Sequence, residues 1–288
     1  MSIATEIERI QGDIEDCYTA CAAHGATLPV NRNSANLASC VETCEWGFPY
    51  EITEQGVLQR ISKPYKFRFP PSATSFGFNG SAFTNTFVND TNLVEIDFGN
   101  LSKILRCQGC TSLVTAKANG VTESNLGGTL LSAFNGCTSL KNVELNGLTI
   151  TKVTASSNGG LQRAFLNCTS LESMNFPALT TIYNRSGPGQ PFMYAFQGCT
   201  ALKTVYFPVV ETVSGYCFQD MLNGCSNVNI YFNSLKSAVQ VLSGGYYPFY
   251  KIFNGATNCA IHFPSNKSFN TSDVSGTNCQ VLYDLPAV

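Results

Sequence analysis

The chain has 288 residues, enough for one large domain or two small ones with a substantial core. Charged residues are only 12%, and 17 Lys plus Arg nearly cancel 19 Asp plus Glu, so the composition carries no footprint for nucleic acid or an anionic membrane. No apolar run of about 18 residues is present to span a bilayer. The charged start, Met1 to Ile10, lacks a basic-then-apolar export pattern and predicts a chain that does not take the general secretory route.

The first predicted element is a helix. Ile3, Ile7, Ile10, Ile14, Cys17 and Cys21 are spaced 4, 3, 4, 3 and 4 apart, a heptad seam on one face. Gly25 and Pro29 end it, and Leu37, Cys40, Val41 and Cys44 give a second, shorter stripe behind an Asn33 or Ser34 cap. Residues 1–45 therefore read as an α-helical hairpin for attachment or oligomerisation. In an antiparallel hairpin Cys17 faces Cys44 and Cys21 faces Cys40. Three readings of these four stay open: buried thiols, two inter-helix disulfides, or a tetrathiolate zinc site. Residues 46–62 form a junction with the only tryptophan, Trp46, expected to pack the hairpin onto the first coil of the region beyond it.

From about residue 63 one motif recurs. Ala133-Phe134-Asn135-Gly136-Cys137-Thr138-Ser139-Leu140 is followed by Val143 and Leu145; Ala164-Phe165-Leu166-Asn167-Cys168-Thr169-Ser170-Leu171 is followed by Met174 and Phe176. Ala195-Phe196-Gln197-Gly198-Cys199-Thr200-Ala201-Leu202 is followed by Val205 and Phe207, and Met221-Leu222-Asn223-Gly224-Cys225 by Val228 and Ile230. The equivalent cysteines 110, 137, 168, 199 and 225 lie 27, 31, 31 and 26 residues apart, the period of a solenoid. One unit cannot bury its own apolar face, so neighbours must stack with strands about 4.8 Å apart. Tyr65 to Pro70 is expected to be a first, capping strand, and degenerate units at 87–98, 252–264 and 277–283 raise the predicted count to about seven to nine coils.

The pattern Ala-Phe-x-x-Cys-Thr-Ser-Leu-x-x-Val-x-Phe-Pro resembles the BspA-type leucine-rich repeat, over roughly residues 63–288. That resemblance implies a mainly β solenoid and a surface or adhesive role. Asp90 and Ala256 depart from it, standing at or near the cysteine position. A second resemblance covers residues 2–45. Ser2-Ile3-Ala4-Thr5-Glu6-Ile7-Glu8-Arg9-Ile10-Gln11, a helix, His24-Gly25-Ala26-Thr27-Leu28-Pro29 and another helix are similar to the start of many phage tail-associated and baseplate proteins. It implies an attachment module on a virion, although the cysteines are not part of that pattern.

Little in the chain points to catalysis. Of 13 cysteines, nine fall between Cys107 and Cys279 in step with the repeat. Cys110, Cys137, Cys168, Cys199 and Cys225 read as an inward ladder of free thiols. Cys107-Gln108-Gly109-Cys110 is a C-x-x-C without a second pair for zinc or a thioredoxin-like context. His24 and His262 have no evident nucleophile or carboxylate partner in sequence, and no phosphate-binding, serine-hydrolase or zinc-protease motif appears. Neither a cofactor nor a metal is expected, the four hairpin cysteines being the only alternative metal set.

Recognition is expected at the aromatic loop Tyr246, Tyr247, Phe249 and Tyr250, whose rings could meet a glycan or a partner protein or close the solenoid end. A Gly- and Pro-rich stretch at 183–192 is a second candidate. The sequence thus predicts a non-enzymatic phage virion protein of tail or baseplate. Its partners would be other virion proteins or itself as a homo-oligomer, and a host-surface protein or glycan, with no nucleic acid and no membrane insertion. A bacterial surface adhesion protein is the alternative.

Overall fold

The computed structural model describes residues 15, 30, 50–52, 58–60, 62–69, 73, 87–124, 130–153, 160–184, 191–240 and 247–288. Strands β1 (Tyr50–Ile52) and β2 (Leu58–Arg60) pair antiparallel. From there on every pairing is parallel. The strands are β3 (Tyr65–Arg68), β4 (Leu93–Asp97), β5 (Thr115–Lys117), β6 (Glu123–Ser124), β7 (Asn142–Glu144), β8 (Ile150–Val153), β9 (Ser173–Asn175) and β10 (Thr181–Asn184). They continue as β11 (Thr204–Tyr206), β12 (Thr212–Ser214), β13 (Asn229–Tyr231), β14 (Ser237–Val239), β15 (Ala260–Pro264) and β16 (Gln280–Leu285).

They form three ladders. On one side of the coils run β3-β4-β5-β7 and then β9-β11-β13-β15-β16; on the other runs β6-β8-β10-β12-β14. The first side is thus split, since β7 and β9 belong to different sheets.

Turns between strands are built from the repeated Phe-x-x-Cys. Cys137 N–H donates to Phe134 O at 3.1 Å and Leu140 N–H to Cys137 O at 3.0 Å, two successive tight turns. The residue before the cysteine adopts positive φ, +75° at Gly136 and +72° at Gly198, which explains why Gly or Asn stands there. These turns also bond coil to coil, Gly136 N–H to Leu166 O at 2.8 Å and Gly198 N–H to Asn223 O at 2.8 Å.

Alternation along each strand sends one set of side chains inward. Leu140, Leu171, Leu202 and Val228 are fully buried one above another. Phenylalanines do the same: Phe134, Phe165 and Phe196 stack at 5.7 and 5.4 Å, and Phe176, Phe207 and Phe232 at 5.1 and 4.6 Å. The core is therefore one continuous column, in which each coil supplies the apolar cover for the next.

Two expectations are corrected. The solenoid has about six turns rather than seven to nine. Units such as 87–98 and 277–283 place a strand in the first side only, because no following strand of theirs joins the opposite ladder, so they cap the stack instead of completing coils. The second concerns the α-helical hairpin ahead of the solenoid: every bounded element among the described residues is a strand, and only the single residue Glu15 is helical. Ile3, Ile7, Ile10, Ile14, Cys17, Cys21, His24, Cys40, Cys44 and Trp46 lie outside the described residues.

Candidate recognition face

The repeat cysteines sit inside. Cys110, Cys137, Cys168, Cys199 and Cys225 are at most 1% exposed, and all nine described cysteines are free thiols. Each of the five donates to a carbonyl of an earlier coil: Cys110 to Phe87 O at 2.8 Å, Cys137 to Cys107 O at 3.0 Å, Cys168 to Phe134 O at 3.1 Å, Cys199 to Phe165 O at 3.0 Å and Cys225 to Phe196 O at 3.0 Å. The position is small enough for a crowded interior, and its thiol adds a second donor to a carbonyl that already closes a turn, as Phe134 O does with Cys137 N–H at 3.1 Å. Burial pushes the thiols of Cys168 and Cys225 up to about 12 and raises Cys199, Cys217 and Cys107 as well. Nucleophilic thiolate is thereby disfavoured at these positions. Among the described residues no group of three or more His, Cys, Asp or Glu has metal-holding geometry.

The aromatic loop is not one surface. Phe249 is fully buried and lies parallel on Phe218 at 5.6 Å, so it belongs to the core. Tyr247 and Tyr250 are half-buried, Tyr250 with its ring edge to Tyr216 and Lys251 over its face, and Tyr246 lies outside the described residues.

What meets solvent in an ordered array is the outward side of the split ladder. Its first half is a row of alternating charge. In register run Arg68, Asp97, Lys117 and Glu144, with Arg68 Nε 3.2 Å from Asp97 Oδ2 and Lys117 Nζ 3.3 Å from Glu144 Oε1. Beside it Lys66 pairs with Glu95 at 3.5 Å. These partly exposed pairs are each worth about 0–1 kcal/mol and leave almost no net charge.

The second half is aromatic. In the same outward position, two residues into each strand, stand Asn175, Tyr206, Tyr231 and His262, in register across β9, β11, β13 and β15. Tyr206 and Tyr231 stack at 5.1 Å and 13°, Tyr231 and His262 at 4.5 Å and 14°. His262 is held from both sides, Nδ1 2.9 Å from Asp284 Oδ1 and Nε2 3.2 Å from Asn229 Oδ1. Tyr206 is 39% exposed, and its far face looks over Asn175, which has no ring to offer. Local density of aromatics along the chain does not reveal this row. The signal was present as a tyrosine or histidine flanked by two core residues in three consecutive units: Val205-Tyr206-Phe207, Ile230-Tyr231-Phe232 and Ile261-His262-Phe263.

Against known proteins, the repeats find a family. Residues 130–186 and 190–269 match the BspA type leucine rich repeat region in six copies. The matched segments hold Cys137, Cys168, Cys199 and Cys225 together with Tyr206, Tyr231 and His262, so most of the thiol ladder and the aromatic row lie where the chain is similar to that repeat. A crystal structure of a leucine-rich repeat protein from Bacteroides ovatus is similar at 14% identity, over 81% of this chain and 69% of that one, with a TM-score of 0.25, too low to carry weight. No curated protein matches the chain. The phage tail and baseplate resemblance of residues 2–45 gains no support from these matches.

Proposed function

We propose that this chain is a non-catalytic recognition protein that works at a surface, its coils serving to hold one long face toward a partner. The observation that carries the reading is the outward side of the split ladder: a charge-balanced row running into an aromatic row, both in strict register. The thiols of Cys168, Cys199 and Cys225, held protonated by burial, and the similarity of residues 130–186 and 190–269 to the BspA-type repeat support it. Rigid stacking fits such a task, because every exposed side chain is positioned by the coil beneath it.

The test is adhesion of the full chain to host-cell and bacterial surfaces. Arginine at the exposed front positions, Asn142→Arg with Ser173→Arg, is expected to abolish binding, whereas Val239→Arg on the opposite ladder leaves it intact. Equal effects of both would show that this face does not carry the binding. Placement on a virion is the finer reading that the N-terminal resemblance implies, and it requires the intact chain in purified particles.

A further inference from the structure

The aromatic row ends unfinished. Tyr231 is covered on one face by Tyr206 and on the other by His262, but Tyr206 is covered on only one. The rung beyond it carries Asn175, exposed, with its amide unpaired among the described residues, and Ser173 beside it. One coil further the row turns to charge at Glu144, whose carboxylate holds Lys117 at 3.3 Å and the Asn119 amide at 3.1 Å. The result is a step one rung deep, floored by an amide and walled by an aromatic face.

We propose that this step is a subsite for a neutral sugar ring, stacked on the free face of Tyr206 above Asn175. The inference rests on the reading of this face as a recognition surface and names what it takes. The row repeats every 4.5 to 5.1 Å, so a ring laid on Tyr206 continues the same period and fits the one-rung depth. A pyranose has the matching chemistry: a C–H face for the aromatic ring and edge hydroxyls that bond an amide and a serine hydroxyl. A flat aromatic side chain would match the wall but leave the amide floor without a partner. Strands β9, β11 and β13 carry no charged side chain to pair with an acidic sugar or a phosphate, so a neutral glycan matches the step.

Saturation-transfer NMR on the full chain tests this with neutral tetramers of β-1,4-glucose, α-1,4-glucose, β-1,4-N-acetylglucosamine and α-1,2-mannose, and with a tyrosine-bearing pentapeptide as the rival occupant. At least one tetramer is expected to bind with a dissociation constant on the order of 1 mM, as a single stacked ring allows. Tyr206→Ala should weaken it about tenfold and Tyr206→Phe by less than about threefold. Asn175→Trp places a ring in the step and should block the sugar while leaving the melting temperature unchanged or higher, which keeps the test valid if the alanine variant folds poorly. Absence of binding by every tetramer, or binding indifferent to both Tyr206→Ala and Asn175→Trp, overturns the proposal. Should the peptide bind in a Tyr206-dependent way and no tetramer do so, the sugar is wrong while the recognition face stands. Loss of surface adhesion in Asn142→Arg alone, which lies outside the step, reports on that face independently.

Discussion

The Cys168 thiol donates a hydrogen bond to the carbonyl oxygen of Phe134, 3.1 Å away and one coil back. The same bond recurs at Cys137, Cys199 and Cys225, so a side chain that is ordinarily a minor core filler ties each coil to its predecessor here. Cys168→Ala removes both the bond and the sulfur volume from a fully buried site and is expected to cost about 1–3 kcal/mol. Urea denaturation at neutral pH measures it, and a midpoint equal to the parent's would show that the ladder is incidental.

The same burial sets a pH dependence. Cys168 and Cys225 stand at about 12 in the folded chain against an ordinary 9.0. Below about pH 9 both folded and unfolded chains keep these protons and nothing is lost; between about 9 and 12 only the unfolded chain gives them up. Stability should then fall as pH rises, by about 1.4 kcal/mol per pH unit per thiol. At pH 8 the native chain should leave both thiols unalkylated by iodoacetamide, read by mass spectrometry, until denaturant is added.

Glycines at the turn are not equivalent. Gly136 and Gly198 share a positive φ, but a Cβ at Gly136 would meet nothing nearer than 3.7 Å, whereas one at Gly198 would meet Asn167 Oδ1 at 2.3 Å. Gly136→Ala should cost about 1 kcal/mol for the backbone alone. Gly198→Ala should cost more, and adding Asn167→Gly should remove the excess. Thermal melts of the three variants decide it; equal costs would locate the penalty in φ only.

Where the first described unit departs from cysteine, a carboxylate takes over. Asp90 is 3% exposed and accepts from the backbone N–H groups of Asn92 at 3.0 Å and Leu93 at 3.2 Å and from the Tyr65 hydroxyl at 2.7 Å. Asp90→Ala strands these donors and is expected to cost about 2–4 kcal/mol. The loss should show as faster hydrogen exchange in β3 and β4 ahead of the later coils, a gradient that a uniform rise in exchange would refute.

These residues also show what could be read from the chain. Stacked coils were legible because Cys, Leu and Val or Phe recur together at 137–145, 168–176 and 199–207, and only stacking hides all of them at once. Coil number was overcounted because the motif marks a strand on one side and says nothing of whether the opposite strand is present. The isoleucine seam at 3, 7, 10 and 14 speaks of a helix only through its period, and among the described residues only Glu15 is helical. At the candidate face, composition drew attention to the Tyr246–Tyr250 loop, yet Phe249 is core. Tyr206, Tyr231 and His262 lie too far apart in sequence to form a visible cluster until register brings them within about 5 Å, the spacing that parallel pairing imposes.

The split between β7 and β9 has a mechanical consequence. At that junction the coils are joined through β8 with β10 on one side and through the turn bonds of Gly136 and Cys168, while the other side has no shared main-chain ladder. A stack clamped on both flanks flexes evenly along its length; one clamped on a single flank concentrates its bending at the open edge, like a book on its spine. Asn175 stands on the strand that borders that edge and Tyr206 one strand further in, so the place where the stack can bend lies beside the proposed sugar step.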